Sequence, residues 1–81
     1  MNITIEYYAY YRQLTGKDNE KRDINERHSP EDILMNILKE YKGNLGLISV
    51  TKFAINNQFC LPDTVLKSGD NLCFIPPVCG G

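Results

Sequence analysis

The chain has 81 residues, of which 42% are hydrophobic and 23% charged, with a formal net charge of -1; that is room for one domain around one core, just above the size at which disulfides or metals become necessary. The charge balance supplies no basic field for nucleic acid or an anionic membrane surface, which excludes both as partners on electrostatic grounds. No apolar run approaches the ~20 residues of a membrane span, and Met1-Asn2-Ile3-Thr4-Ile5 lacks the charged, apolar and cleavage regions of a secretory signal, so a soluble cytoplasmic protein is expected.

Met1, Ile3, Ile5, Tyr7 and Ala9 alternate with Asn2, Thr4, Glu6, Tyr8 and Tyr10. A period of two, rich in β-branched and aromatic residues, predicts a strand. Tyr7, Tyr8, Tyr10 and Tyr11 lack interleaved basic residues, so they are assigned to core and sheet packing and not to a base-stacking surface. Residues 12–16 read as a helical turn closed by Gly16, with Leu14 inward. From Lys17 to Arg27 charge dominates, and 20–26 reads as an edge strand with Ile24 its only apolar anchor. His28 falls in the loop that follows and is read as solvated.

Ser29-Pro30-Glu31-Asp32 is a helix start, with serine at the N-cap, proline at the first helical position and two acids facing the helix dipole. The helix is predicted over 30–41, because Ile33, Leu34, Ile37, Leu38 and Tyr41 share one face, and Gly43 is its stop. Residues 45–50 are apolar without a clean period and are left open between a loop and a short element. Phe53-Ala54-Ile55 and Gln58-Phe59-Cys60 read as strands around an Asn56-Asn57 turn. Residues 61–66 read as a helical turn begun after proline, and 67–70 as another turn. Asn71 to Ile75 is the last strand, with Leu72 and Phe74 on one face and Cys73 and Ile75 on the other. Apolar residues on both faces predict a central strand.

After Ile75 come Pro76-Pro77-Val78-Cys79-Gly80-Gly81. Neither proline can donate to a ladder, so the chain should leave the sheet at Ile75 in a stiff, extended form. Two glycines with no side chains would let the last backbone units enter a narrow channel in another protein. With glycine at about 7% of average sequence, such a pair arises at a terminus by chance roughly once in two hundred chains.

The three cysteines, Cys60, Cys73 and Cys79, are an odd number with no Cys-x-x-Cys spacing, and His28 is the single histidine. Neither a disulfide framework nor a metal site is expected, and Cys60 and Cys73 read as small core residues on strands.

The element order, strand, strand, helix, strand, strand, strand, predicts an α+β domain with one main helix on one face of a mixed sheet, which is the order of a ubiquitin-like β-grasp. The domain is placed at residues 1–75 and a protruding tail at 76–81. Nearly end to end, in Tyr10-Tyr11-Arg12-Gln13-Leu14-Thr15-Gly16, in Ala54-Ile55-Asn56-Asn57 and most specifically in Leu66-Lys67-Ser68-Gly69-Asp70 and Phe74-Ile75-Pro76-Pro77-Val78-Cys79-Gly80-Gly81, the sequence resembles the MoaD and ThiS family of sulfur carriers. Within it, the Pro-Pro before the tail resembles the small subunits of molybdopterin synthase.

That resemblance implies that Gly81, preceded by Gly80, is adenylated from ATP and converted to a thiocarboxylate. It also implies that the sulfur passes to cyclic pyranopterin monophosphate in a large catalytic subunit, within a heterotetramer. A ubiquitin-activating-enzyme-like adenylyltransferase and a sulfur-donor protein are implied as further partners, with transient AMP on Gly81 and no permanently bound cofactor. The sequence has no phosphate-binding glycine loop followed by lysine and no nucleophile elbow, so the catalytic side chains are expected on partners. The pairs Glu31/Asp32 and Asp18/Glu20 read as solvated. Partner docking is assigned to Phe74, Pro76, Pro77 and Val78 beside the tail, with Phe74 alternatively a core residue. Cys79 stands where the family commonly has serine, alanine or threonine, and reads as a size-conserving change in the docking segment or, alternatively, as a reactive thiol. The other functional readings are a sulfur carrier for thiamine thiazole synthesis, a ubiquitin-like modifier, and a non-covalent interaction domain.

Overall fold

Alternation at the amino terminus builds β1 (Asn2–Tyr7), whose Ile3, Ile5 and Tyr7 are all buried. It is followed by α1 (Tyr10–Thr15), β2 (Asn19–Asp23), α2 (Pro30–Glu40), a 3₁₀ segment (Leu45–Val50), β3 (Lys52–Ile55), β4 (Gln58–Cys60) and β5 (Asn71–Ile75). The computed structural model describes residues 1–77, so the expectations placed on Val78, Cys79, Gly80 and Gly81 lie outside the described residues. The five strands form one sheet in the order β2-β1-β5-β3-β4. β1 and β5 run parallel, and every other pair is antiparallel. The result is the mixed sheet and single long helix of a ubiquitin-like β-grasp.

Pairing register decides which side chains meet. Ile5 lies beside Leu72 and Tyr7 beside Phe74, while Phe53 lies beside Phe74 and Ile55 beside Leu72, so these residues share one sheet face. α2 covers that face with Ile33, Leu34, Ile37 and Leu38, each at most 2% exposed. A fully buried aliphatic or aromatic side chain contributes roughly 1.5–3 kcal/mol relative to leaving it in water. Phe74 is the hub, with ring centroids 5.7 Å from Tyr11, 5.9 Å from Phe53 and 6.2 Å from Tyr7.

α2 starts as its sequence predicts. Asp32 N–H donates to Ser29 Oγ at 3.2 Å, Ser29 N–H donates to Asp32 Oδ2 at 3.0 Å, and Pro30 opens the first turn, a reciprocal capping box. The stop differs in detail. Lys42, not Gly43, takes the left-handed conformation (φ 57°), and Gly43 N–H reaches back to Leu38 O at 2.7 Å, a Schellman closure. A Cβ at 43 would sit 2.7 Å from Leu38 Cδ2 and 3.0 Å from Leu14 Cδ2, so a larger residue there would make the leucine side chains shift.

Four other expectations are refined or corrected. The edge strand spans Asn19–Asp23, and Ile24 leaves it to become buried at 7% exposure. Glu20 is not a solvated carboxylate. β2 pairs Glu20 with Ile5, which turns it toward the helix side, where its Oε1 accepts from Tyr7 Oη at 2.6 Å and from Arg22 at 3.0 Å. Arg22 in turn donates to Glu40 at 2.9 Å, so this pair ties the edge strand to α2. Residues 61–66 are a turn and not a helix: Thr64 N–H and Oγ1 both donate to Leu61 O, and of that stretch only Leu66 is buried. Leu14 faces inward as expected but is only half-buried against the core, while Tyr11 and Thr15 are the buried residues of α1.

The Asn56-Asn57 turn is as expected, with φ of 52° and 69°, the two positive values that a type I′ hairpin demands. No helix among the described residues is long and apolar enough to cross a membrane.

Candidate functional site: the exit of the carboxyl-terminal segment

β5 occupies the centre of the sheet, as its apolar residues on both faces predict. Its ladder to β1 ends at Tyr7 and Phe74, and its ladder to β3 ends at Lys52 and Ile75. Pro76, half-buried, and Pro77, exposed, follow directly. The described chain therefore leaves from the middle of the sheet, along the axis of its central strand.

Phe74 takes the core alternative. It is 0% exposed beneath Tyr11, Phe53 and Tyr7, so it presents nothing to a partner and instead anchors the strand from which the tail departs. Pro76 and Pro77 do line accessible surface, in two grooves. One, of about 600 Å³, is bounded by Tyr8, Ala9, Tyr10, Gln13 and Ile75 with the prolines. The other, of about 260 Å³, is bounded by Tyr10, Asn44 and Leu47 with the same prolines.

The sheet face away from α2 extends this surface. Ala54 lies opposite both Cys73 and Phe59 in the ladders, and Tyr8, Ala54, Asn57, Phe59, Cys73 and Ile75 enclose a hollow of about 250 Å³. Phe59 is 75% exposed and Tyr8 42%. An apolar face of this kind, rimmed by polar groups and continuous with the tail exit, marks an interaction surface. Sequence reasoning assigned docking to the tail and passed over Tyr8, Phe59 and Ile75. The two-faced apolarity of β5 was their signal, because α2 covers only one of its faces.

One carboxylate sits within that face. Glu6 accepts from Tyr8 Oη at 2.6 Å, from Asn71 Nδ2 at 3.0 Å and from the Cys73 thiol at 3.7 Å. The Tyr8 hydrogen bond, then that from Asn71, holds the Glu6 carboxyl below its ordinary range. The same bond pushes the Tyr8 phenol up to about 12. Burial first, then the Glu6 charge, raises the Cys73 thiol. A buried thiol kept protonated is a packing group and not a nucleophile, in line with its sequence reading. Burial likewise raises the thiol of Cys60, which is half-buried against the core.

The turn from β1 into α1 carries a strained residue. Ala9 has φ 47° and ψ -118°, a conformation that costs a non-glycine residue about 1–3 kcal/mol and that concentrates at functional sites. It sets Tyr8 on the open sheet face and Tyr10 at the start of α1, and both line the groove that adjoins Pro76 and Pro77. Of the four clustered tyrosines, Tyr7 and Tyr11 are core, whereas Tyr8 and Tyr10 are surface residues at this site. Among the described residues no three His, Cys, Asp or Glu side chains converge where a metal ion could be held.

Comparison with known proteins agrees with the fold. The ThiS family matches residues 5–81. The chain is 28% identical, over the full length of both proteins, to the molybdopterin synthase sulfur carrier subunit of Chlamydomonas reinhardtii. It superposes on SAMP1 of Haloferax volcanii with a TM-score of 0.76 at 18% identity, covering all of both chains, a likeness of fold. It also superposes with a TM-score of 0.65 at 27% identity, again over both full chains, on a chain from a complex of subunits 1 and 2 of the molybdopterin-converting factor of Helicobacter pylori. The β-grasp topology, the Pro-Pro exit from the central strand and a family match across nearly the whole sequence lead to one conclusion: the chain belongs to the MoaD/ThiS family.

Proposed function

We propose that this chain is a sulfur carrier, acting as the small subunit of a molybdopterin synthase, with the sulfur held on the carboxyl of Gly81. The observation that carries this reading is the course of β5, which leaves the centre of the sheet beside an uncovered apolar face and passes through Pro76-Pro77 toward the Gly80-Gly81 pair. The sulfur-carrier relative in Chlamydomonas, matched over its full length, supports it.

The chemistry follows from the group at the tail. A terminal carboxyl has a reference pKa of about 3.5, so at neutral pH it is ionised and a poor electrophile. Joining it to AMP with release of pyrophosphate supplies a leaving group. A sulfide equivalent from a donor protein then forms the carbon–sulfur bond as the bond to AMP breaks, and a thiocarboxylate remains. That anion attacks a carbon of cyclic pyranopterin monophosphate as a carbon–oxygen bond there breaks, water then cleaves the resulting thioester and restores the carboxylate, and two such transfers supply the two sulfurs of the dithiolene. ATP, donor and acceptor sites belong to partners: an activating adenylyltransferase, a sulfur donor and a large subunit. AMP is only transiently attached. The Helicobacter pylori complex of subunits 1 and 2 supports the large-subunit partner, and a heterotetramer of two small and two large subunits in the cytoplasm is part of the reading.

Residues 76–81 act as an inserted tail on the 1–75 domain. Pro76, Pro77, Tyr8, Phe59 and Ile75 supply the docking surface, and Val78 and Cys79 enter the partner with the glycines. Intact-protein mass spectrometry after incubation with ATP, an activating enzyme and a sulfur source tests this. Replacement of one oxygen by one sulfur is expected, absent from a variant lacking Gly81. Conjugate ladders on a denaturing gel with no sulfur gain would instead identify a modifier, and sulfur delivery to a thiazole precursor and not to the pterin would move the chain to the thiamine pathway. Cys79→Ser is expected to transfer sulfur at an unchanged rate; a large loss would instead give that thiol a reactive role.

A further inference from the structure

Resting on that reading, we infer that Tyr10 is the positioning residue of the tail: its ring is the wall that holds Pro76 and Pro77 and so sets the direction in which the chain leaves the domain. Two prolines stiffen a segment, but stiffness transmits a direction only if the base is held. Backbone pairing does not hold it. The ladder ends at Ile75, and neither proline has an N–H to extend it. Support must come from side chains.

Among the described residues Tyr10 alone, apart from the prolines themselves, lines both grooves that flank Pro76-Pro77. It stands between the Tyr8 and Ile75 side and the Asn44 and Leu47 side. Its own position is backed by the core. The ring rests edge-on against Tyr11 with centroids 5.5 Å apart at 73°, and Tyr11 is fully buried with its hydroxyl bonded to Thr51. The positive-φ backbone at Ala9 delivers Tyr10 to the first position of α1. At 37% exposure Tyr10 is not part of the hydrophobic core, so the core does not explain a large aromatic there, whereas the adjoining prolines do.

The experiment has two parts. In the free protein, nuclear Overhauser contacts are expected between the Tyr10 ring and the ring protons of Pro76 and Pro77, together with ring-current displacement of those proline protons that disappears in Tyr10→Ala; absence of both overturns the inference. In sulfur loading by the activating enzyme, Tyr10→Ala is expected to raise KM about tenfold with kcat unchanged, as when only a tenth of the molecules present the tail correctly. Tyr10→Phe is expected to behave as wild type, since the ring and not the hydroxyl forms the wall. Pro77→Gly loosens the exit without touching the domain and is expected to give the same KM rise. The double variant should be no worse than either single one, the non-additivity of two parts of one device. An unchanged KM in both single variants, or fully additive losses, would overturn the inference. If the wild-type chain takes up no sulfur, the functional reading fails, while the proton contacts still decide whether Tyr10 holds the prolines.

Discussion

β5 is apolar on both faces, yet its two faces serve different ends. Leu72 and Phe74 point into the layer closed by α2 and are 0% exposed, whereas Cys73, 4% exposed, and the half-buried Ile75 point to the face away from α2, among Glu6, Tyr8, Asn57 and Phe59. The covered face is bound to the fold, because each of its residues touches several others that would lose their contacts with it. The open face keeps its apolar groups in place through the same strands but leaves them available to a partner. A sheet can therefore hold a docking surface rigid at little cost to itself, provided the opposite face supplies the stability.

The largest expected effect lies on the covered face. Phe74→Ala removes the hub of four aromatic rings and should cost about 3–5 kcal/mol, read as a drop in the urea midpoint, a large part of the 5–15 kcal/mol typical of a domain. A loss near that of a surface change would break the distinction between the faces. Phe59→Ala is the counterpart on the open face. It should alter unfolding by no more than about 0.5 kcal/mol, while weakening affinity for a large subunit about 30-fold, or ~2 kcal/mol, as measured by calorimetry. If Phe59→Ala unfolds the protein and leaves binding intact, the assignment of the faces is reversed.

Ser29→Ala acts on the covering layer alone. Loss of the cap should cost about 1 kcal/mol of stability, with large-subunit affinity unchanged once the folded fraction is accounted for. The smallest effect concerns Glu6. Its carboxyl is held below the ordinary value of 4.5 by Tyr8 and Asn71, so the folded state favours the ionised form. The stabilisation is complete above about pH 4.5 and disappears as pH falls below it through the depressed folded value. In a urea series from about pH 6 down to about pH 3, the wild-type midpoint should fall more steeply than that of Glu6→Gln; parallel slopes would show that the hydrogen bonds on the open face do not stabilise the ionised form.

Local chemistry makes much of the fold legible in the residues themselves. Ser29-Pro30-Glu31-Asp32 announces its helix without help from distant segments, and the capping box forms as written. Asn56-Asn57 announces its turn by tolerating positive φ. Glu20 is not legible in this way: nothing in its neighbours along the chain says that it will meet Tyr7, which it does only because β2 pairs with β1. Residues 61–66 mislead because a proline followed by an acidic residue opens a helix and a turn equally well, and only the absence of a packed face distinguishes them. Phe74 is ambiguous because alternation in a central strand makes both faces apolar without saying which one a helix covers.

By itself, then, the sequence determined the start of α2, the Asn56-Asn57 turn, that β5 is central, and that two prolines and two glycines follow it. These depend on φ preferences, capping groups and periodicity within a few residues. Only the tertiary structure decided that Phe74 is core while Tyr8, Phe59 and Ile75 form the open face, and that Tyr10 flanks the prolines. Burial and contact depend on which distant segments the sheet order and register bring together, and that information is distributed over the whole chain.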